Sequence, residues 1–573
     1  MKRFLTISAL FFALLPLRAQ VATVEVSRPY DVNLDGIRKP AIPTSVDDSL
    51  QRFDVHFDYS IFNRPYGDLY DFTPYESIQL ATVGANRTPF VYTRLGAQYA
   101  PGERGVMPAG EIYLQTKPKN GFCSGLYGRH NSFFGELGRG FDGATVMNTA
   151  RMQNAVGGDL TYDWATGELM FDVQYDFDSH RYGRLDTYSS AVVPESLHKN
   201  NSFKASFNLN STQKEENTLY YDVTLAYRNT NKDFSPGAGN DISSLGESLI
   251  TVKGYVGASF DIHRIYVDMN IGHAAYNGVR DLSAGVVEFS PFYQYDRRRL
   301  HARLGVKFGS RYGQAGEQAV TDLNLSPRSS IFPDFDIRYT LIDKSLWTHL
   351  VVTGGNDLYP FSQMVDDCPI VLPTTRMDFG RRPIDATLSL ESVLGGRLGL
   401  NLEGNFKMTR SKMIFVPLSD NSGLTQMTAS FRDVNQFSVQ GEVFWKSQDL
   451  TLGGRLRYAG YYNAGDRSRV TEMPDWTGYA FARYNFRERI IAQVECNYRG
   501  ATSGQMAGND GTSLAAFYEV PPILDVDLNV NYLINNHFSV FAKVGNLLNH
   551  RNQYMPLYLE PGINFGGGVC LNF

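Results

Sequence analysis

Cysteine is scarce in this chain. Cys123, Cys368, Cys496 and Cys570 stand far apart, with no CxxC pair and no metal-ligand spacing. That excludes a disulfide scaffold and a zinc site as organising features. Long apolar runs are also missing. Beyond the first 19 residues no stretch of about 18 apolar residues occurs, so no helix can span a membrane. Charge of one sign is absent too: the net charge is −5 over 573 residues, which argues against a nucleic-acid partner. The ten histidines are dispersed, and neither H-E-x-x-H nor G-x-S-x-G occurs. No catalytic constellation, resident metal or cofactor is expected, and the chain does not read as an enzyme.

What is present is aromatic and glycine-rich: 13% of residues are Phe, Trp or Tyr, and there are 53 glycines. Lys2 and Arg3 precede an apolar stretch from Phe4 to Leu17, and Ala19 places a small residue before Gln20. Residues 1–19 are therefore expected to be a removable export signal. Downstream, period-two alternation recurs. Leu524, Val526, Leu528, Val530 and Tyr532 alternate with Asp525, Asp527, Asn529 and Asn531. Leu300, Ala302, Leu304, Val306 and Phe308 alternate with His301, Arg303, Gly305 and Lys307. Further such runs lie near 169–177, 265–272 and 450–458, and near 53–61. In strand after strand one face carries charges of both signs and the other carries none. A second sheet would not require that, but lipid does.

Connections alternate in length as well. Short turns are read near 118–121, 163–167, 213–217, 261–264, 296–299, 342–345, 395–397, 446–449, 487–489 and 535–537. Long loops are read near 178–200, 231–246, 311–330, 357–383, 409–434, 463–474, 503–522 and 548–561. Short periplasmic turns and long extracellular loops are the polarity of outer-membrane barrels. The expected fold is all-β: a transmembrane antiparallel β-barrel of about 22 strands (20–24) over residues 86–573. Localisation to the outer membrane of a Gram-negative cell follows, with outer-membrane lipid as the barrel's surroundings.

The end of the chain adds a resemblance. Ile563, Phe565, Gly567, Val569, Leu571 and Phe573 share one face of a last strand ending in Phe. Phe565, Val569, Leu571 and Phe573 resemble the signal that such proteins present to the barrel-assembly machinery. The run Val544-Gly545-Asn546-Leu547-Leu548-Asn549-His550-Arg551, then Tyr554 and Pro561-Gly562-Ile563-Asn564-Phe565, resembles the closing pattern of TonB-dependent receptors. Leu548 and Ile563 depart from that pattern. The resemblance implies a receptor-like barrel acting in solute uptake or as a channel. A family member carries a folded plug ahead of its barrel, and residues 20–85 leave room only for a reduced one. The chain thus resembles the plug-lacking receptor-like barrels of Bacteroidota. The alternative is a non-transporting scaffold subunit of an outer-membrane complex. Val24, Glu25, Val26 and Ser27 resemble a TonB box, which pairs with TonB by strand addition. TonB or an outer-membrane or surface lipoprotein are the partners implied.

Two further motifs carry weaker expectations. Asp31-Val32-Asn33-Leu34-Asp35-Gly36 matches half an EF-hand loop, but position twelve is Ile42 rather than Glu. Asp-Gly is also a turn pair. Asp366-Asp367-Cys368, in the long loop near 357–383, is expected to be a solvated acidic tip. Asp525, Asp527, Arg303, Lys307, Arg455 and Arg457 are expected to face the lumen and to satisfy one another and water.

Overall fold

A computed structural model describes residues 91–573, apart from 117–118, 139–145, 183–195, 212–218, 236–241, 261, 280, 314–328, 396, 420–424, 488, 508–512 and 557. The signal segment, the TonB-box-like residues, the half EF-hand motif and the 53–61 alternation lie outside the described residues.

Alternation builds the wall one hairpin at a time. The first strands are β1 (Val91–Ala100), β2 (Gly105–Gln115), β3 (Phe122–Gly138), β4 (Val146–Trp164), β5 (Gly167–Tyr182), β6 (Ser196–Ser211), β7 (Leu219–Ser235) and β8 (Ser243–Phe260). The next are β9 (His263–Gly278), β10 (Leu282–Arg297), β11 (Leu300–Gly313), β12 (Ser329–Ile342), β13 (Leu346–Leu358), β14 (Phe379–Leu394), β15 (Leu398–Ser419) and β16 (Thr425–Lys446). Then come β17 (Leu450–Asn463), β18 (Trp476–Phe486), β19 (Ile490–Arg499), β20 (Thr502–Ala507), β21 (Ser513–Val520), β22 (Ile523–Leu533), β23 (Phe538–Gly545) and β24 (Asn564–Asn572). Each wall strand pairs antiparallel with the next, β19 passes directly to β22, and β24 pairs with β1. That closes a ring of 22 strands, the number expected from the alternation. The β20–β21 hairpin stands outside the ring, which is why residues 503–522 read as a loop.

Closure is complete to the last residue. Phe573 N–H donates to the Val91 carbonyl at 2.9 Å, and Val91 N–H donates back to the Phe573 carbonyl at 3.1 Å. Every ring strand therefore has a neighbour on both sides, which a hydrocarbon surrounding demands. Gly566, Gly567 and Gly568 lie at this seam. A Cβ on Gly568 would meet the Leu95 carbonyl oxygen at 2.0 Å, so the two backbones approach as only glycine allows.

The outward face is apolar. Leu126, Val156, Leu388, Leu402 and Leu456 are all more than half exposed, and Leu304 nearly so. Tyr162, Phe260, Phe486, Tyr532 and Phe573 are exposed beside the short turns, and Tyr99, Phe134, Phe308, Tyr312 and Trp476 toward the other end. Two aromatic girdles around an apolar belt mark a wall that crosses a bilayer. Among the described residues no helix is long and apolar enough to cross a membrane. Phe565 and Phe573 of the assembly-signal set are outward and exposed, Val569 and Leu571 share their face by alternation, and Cys570 between them is buried.

One stretch overturns the expected loops. Residues 409–434 are two long strands joined by 420–424. Met413-Ile414-Phe415-Val416 is covered on both faces: Phe415 packs in one apolar cluster, and Ile414 and Val416 pack in another with Val434, Tyr461 and Val470. A strand buried on both sides shows a continuous apolar run instead of alternation. A bulge between Thr409 and Lys412, with Ser411 at φ 51°, breaks the period further.

The two faces predict opposite tolerance to charge. Val156→Arg, at an outward position 60% exposed, should destabilise the barrel in lipid vesicles by about 2–4 kcal/mol. Ser206→Arg, on the lumen side of β6, should cost less than about 1 kcal/mol. Reversible denaturant unfolding monitored by tryptophan fluorescence checks the pair.

Candidate functional site

A ring of 22 strands encloses a lumen too wide for wall side chains alone to fill. The wall charges first satisfy one another, as expected for several of the residues named from sequence. Arg303 contacts Asp334 at 2.7 Å and Asp268 at 3.7 Å, Arg455 contacts Glu442 at 3.2 Å, and Lys543 contacts Asp527 at 3.4 Å. Asp525 accepts from the Tyr554 hydroxyl at 3.5 Å, and Arg457 donates to the Ser438 hydroxyl at 3.5 Å.

Two loops from the long-loop end then enter the lumen. The first, residues 359–378, joins β13 to β14 and contains the helix α1 (Phe361–Asp367). It touches β7 and β8 on one side and β16 on the other. β8 and β16 are eight strands apart in the ring, about 38 Å of wall at strand spacing. A segment touching both lies inside the ring. Phe361, Met364, Val365, Ile370, Val371 and Met377 are almost fully buried.

The loop's polar groups are met by wall groups. Pro360 supplies no side-chain cap, and the Glu247 carboxylate of β8 takes that role. It accepts the backbone N–H of Phe361 and, at 3.1 Å, that of Ser362. A wall carboxylate thus satisfies two orphan donors at the positive end of the helix. Arg228 of β7 grips both Asp366 oxygens at 2.5 and 2.7 Å, and the fully buried Lys232 donates to the Pro369 carbonyl. On the far side Leu372 N–H donates to the Met427 carbonyl at 3.1 Å, and Ala429 N–H donates to the Thr375 hydroxyl at 2.8 Å.

This geometry corrects the reading of Asp366-Asp367-Cys368. Asp367 is 2% exposed and Cys368 0%, so the motif is an inward-folded segment, not a solvated tip. Only Asp366 retains appreciable exposure, and it is paired.

The second loop, 546–563, joins β23 to β24. Arg151 of β4 donates to both Glu560 oxygens at 3.2 and 3.0 Å, and Arg499 of β19 donates to the Tyr554 carbonyl at 2.8 Å. Burial pushes the Glu560 carboxyl up to about 7, with Arg151 pulling it the other way. The two loops meet at sulfur: the Cys368 thiol lies 3.7 Å from the Met555 thioether. Neither loop showed a periodic signal in sequence. The only hint was the mixture of apolar residues with Asp and Pro in 359–378, which a surface loop does not need.

With this geometry established, resemblance to solved structures can be stated. The ferric enterobactin receptor PfeA of Pseudomonas aeruginosa superposes with a TM-score of 0.60 at 11% identity, covering 86% of this chain and 81% of that one. The FrpB iron transporter of Neisseria meningitidis gives 0.61 at 10% identity, over 85% and 82%. The copper transporter OprC gives 0.60 at 11% identity, over 85% and 81%. The fold is the one these receptors and transporters share. No protein-family profile and no curated protein sequence matches the chain. The shared feature is thus the barrel, which the closing pattern and strand count had already implied.

The anchors of the 359–378 loop are unequal. Glu247→Ala leaves two buried N–H groups unsatisfied, about 1–3 kcal/mol, and should speed protease cleavage within 359–378 at least about tenfold. Asp366→Asn keeps an acceptor for Arg228 and alters a pair whose carboxylate is half exposed, so it should change cleavage less than Glu247→Ala does. Limited proteolysis of the intact barrel, read by mass spectrometry, separates the two.

Proposed function

We propose that this protein is an outer-membrane barrel of the TonB-dependent-receptor type that takes up a solute. Its extracellular half is closed in this state by its own loops 359–378 and 546–563. The observation that carries the reading is the meeting of these loops inside the ring, each docked on wall charges. An uptake barrel needs a lumen barrier that can be released, and these loops are docked through contacts that can be broken. The receptors and transporters of iron, ferric enterobactin and copper that share the fold support the same class. Residues 20–85 act in this reading as the reduced plug of the periplasmic half, and Val24, Glu25, Val26 and Ser27 as the contact with TonB. Phe565, Val569, Leu571 and Phe573 address the barrel-assembly machinery.

One observation favours the scaffold reading instead. β15 and β16 run 22 residues each, and the end of β15 pairs with β20, at Leu418 and Ala507. Together with β21 they build a sheet on the long-loop side where another protein could sit.

Planar-bilayer conductance tests the proposal. Wild-type barrels should be nearly silent. A variant lacking residues 20–85 and carrying Glu247→Ala with Arg151→Ala should conduct about tenfold more. Equal silence from that variant, with stoichiometric co-purification of another surface protein, would favour the scaffold.

A further inference from the structure

Charge is sorted along the barrel axis. The ten short turns that join ring strands hold nine Lys and Arg against six Asp and Glu. The eleven long connections, with 500–522 taken as one, hold nine against eighteen. The whole chain is nearly balanced, with 54 basic and 59 acidic residues, so the asymmetry lies in their placement. The short-turn excess falls entirely on one sector. From β10 to β19, five successive turns carry Arg298, Arg299, Lys344, Arg397, Arg487 and Arg489 against Asp343, Asp449 and Glu488. All six basic residues are exposed. Arg299 grips Asp343 at 3.0 and 3.1 Å, and among the described residues the other five side chains enter no ion pair.

These turns sit where a headgroup layer begins. Ile342, Leu394 and Phe486 are exposed at the last strand position before three of them, so hydrocarbon reaches the strand ends and stops there. The Arg487 guanidinium lies 5.1 Å from the Phe486 ring centre, which joins the aromatic girdle to the water side. Successive short turns are two strands apart, about 10 Å at strand spacing. That is one Debye length at about 0.1 M salt, so their fields overlap into one basic edge. Turn geometry does not account for the residue choice. Arg298, Lys344 and Arg487 are left-handed at φ 40°, 63° and 51°, a conformation that Asn120 and Gly395 supply at two other short turns. Gly or Asn adopts it with less strain than a long side chain does.

From this edge we infer that the periplasmic rim between β10 and β19 binds anionic phospholipid headgroups of the periplasmic leaflet. The ligand is a singly charged phosphodiester, such as the headgroup of phosphatidylglycerol. Basic side chains at a membrane surface attract such lipids one by one, and salt screens the attraction. The charges follow the border of the lipid-covered wall, which fits a layer of headgroups and not the footprint of one acidic protein. The acidic long-loop side repels the same anions, so only one leaflet is recognised. The inference is independent of whether the barrel transports anything.

The test uses the full-length barrel in phosphatidylcholine vesicles, with spin-labelled phosphatidylglycerol or phosphatidylcholine of the same chains as probe. Electron spin resonance reads the fraction of each label held at the barrel. Wild type should hold phosphatidylglycerol at least about threefold more strongly, and about 0.5 M salt should remove the preference. The combined variant Arg298→Gln, Lys344→Gln, Arg397→Gln, Arg487→Gln and Arg489→Gln should hold the two lipids equally. Arg104→Gln with Arg467→Gln, on the long-loop side, should keep the wild-type preference. Excess inorganic phosphate, at constant ionic strength, should displace none of the label. Heat-modified mobility in detergent gels confirms that each variant is folded. Equal retention of both lipids by wild type would overturn the inference, as would a preference that survives in the five-residue variant. Displacement of the label by phosphate would overturn it in favour of a free-anion site. Loss of the preference in the long-loop variant would place the lipid at the wrong end. Absence of any lipid preference, with an acidic protein retained by wild type and lost from the five-residue variant, would give the rim to a protein partner instead.

Discussion

A backbone amide in hydrocarbon has nothing to bond except another backbone. That constraint fixes the shape of this protein before any side chain is considered. An open sheet would leave two edges of unpaired donors and acceptors in lipid, so β24 must find β1. It does so through Gly566, Gly567 and Gly568, where the absence of side chains lets the backbones close, and through the reciprocal bonds of Val91 and Phe573. Once the ring is shut, each strand has one face in lipid and one in water. The separation of Leu126, Val156 and Leu304 from Arg303, Asp527 and Lys543 follows.

Closure at 22 strands creates the second problem, a wide lumen, and the loops answer it. Magnitudes show what holds them. The Arg228–Asp366 pair is bidentate, but its carboxylate is half exposed to solvent screening, so it contributes less than a fully buried pair. Glu247 is almost fully buried, and its two charge-assisted bonds contribute about 1.5–3 kcal/mol each. Burial of Phe361, Met364, Val365, Ile370 and Met377 contributes about 1.5–3 kcal/mol per large side chain. Apolar packing therefore holds loop 359–378 in the lumen, and the charges set where it docks. On the proposed uptake reading, an arriving solute would have to compete chiefly with that packing, and loop release would be cooperative instead of residue by residue.

Much of the wall was legible in sequence, for one reason. Strands with lipid on one side and water on the other must alternate, and 169–177, 265–272, 300–308 and 524–532 do. Strands covered on both sides need not, so Met413-Ile414-Phe415-Val416 hid in what looked like a loop. The lumenal site was illegible because its partners are remote in the chain. Asp366 meets Arg228 138 residues away, and Cys368 meets Met555 187 residues away. The Asp366-Asp367-Cys368 motif could be noticed, but only the folded ring brings Arg228, Lys232 and Glu247 to it.

The central claim is that loop 359–378 is a folded part of the lumen. Hydrogen–deuterium exchange on the intact barrel in lipid nanodiscs tests it most directly. If the claim holds, the amides of Phe361, Ser362, Cys368 and Leu372 exchange as slowly as those of the neighbouring strands β8 and β16, since each donates inside the barrel. Exchange of these four amides at the rate of an open surface loop, beside protected strands, would contradict it.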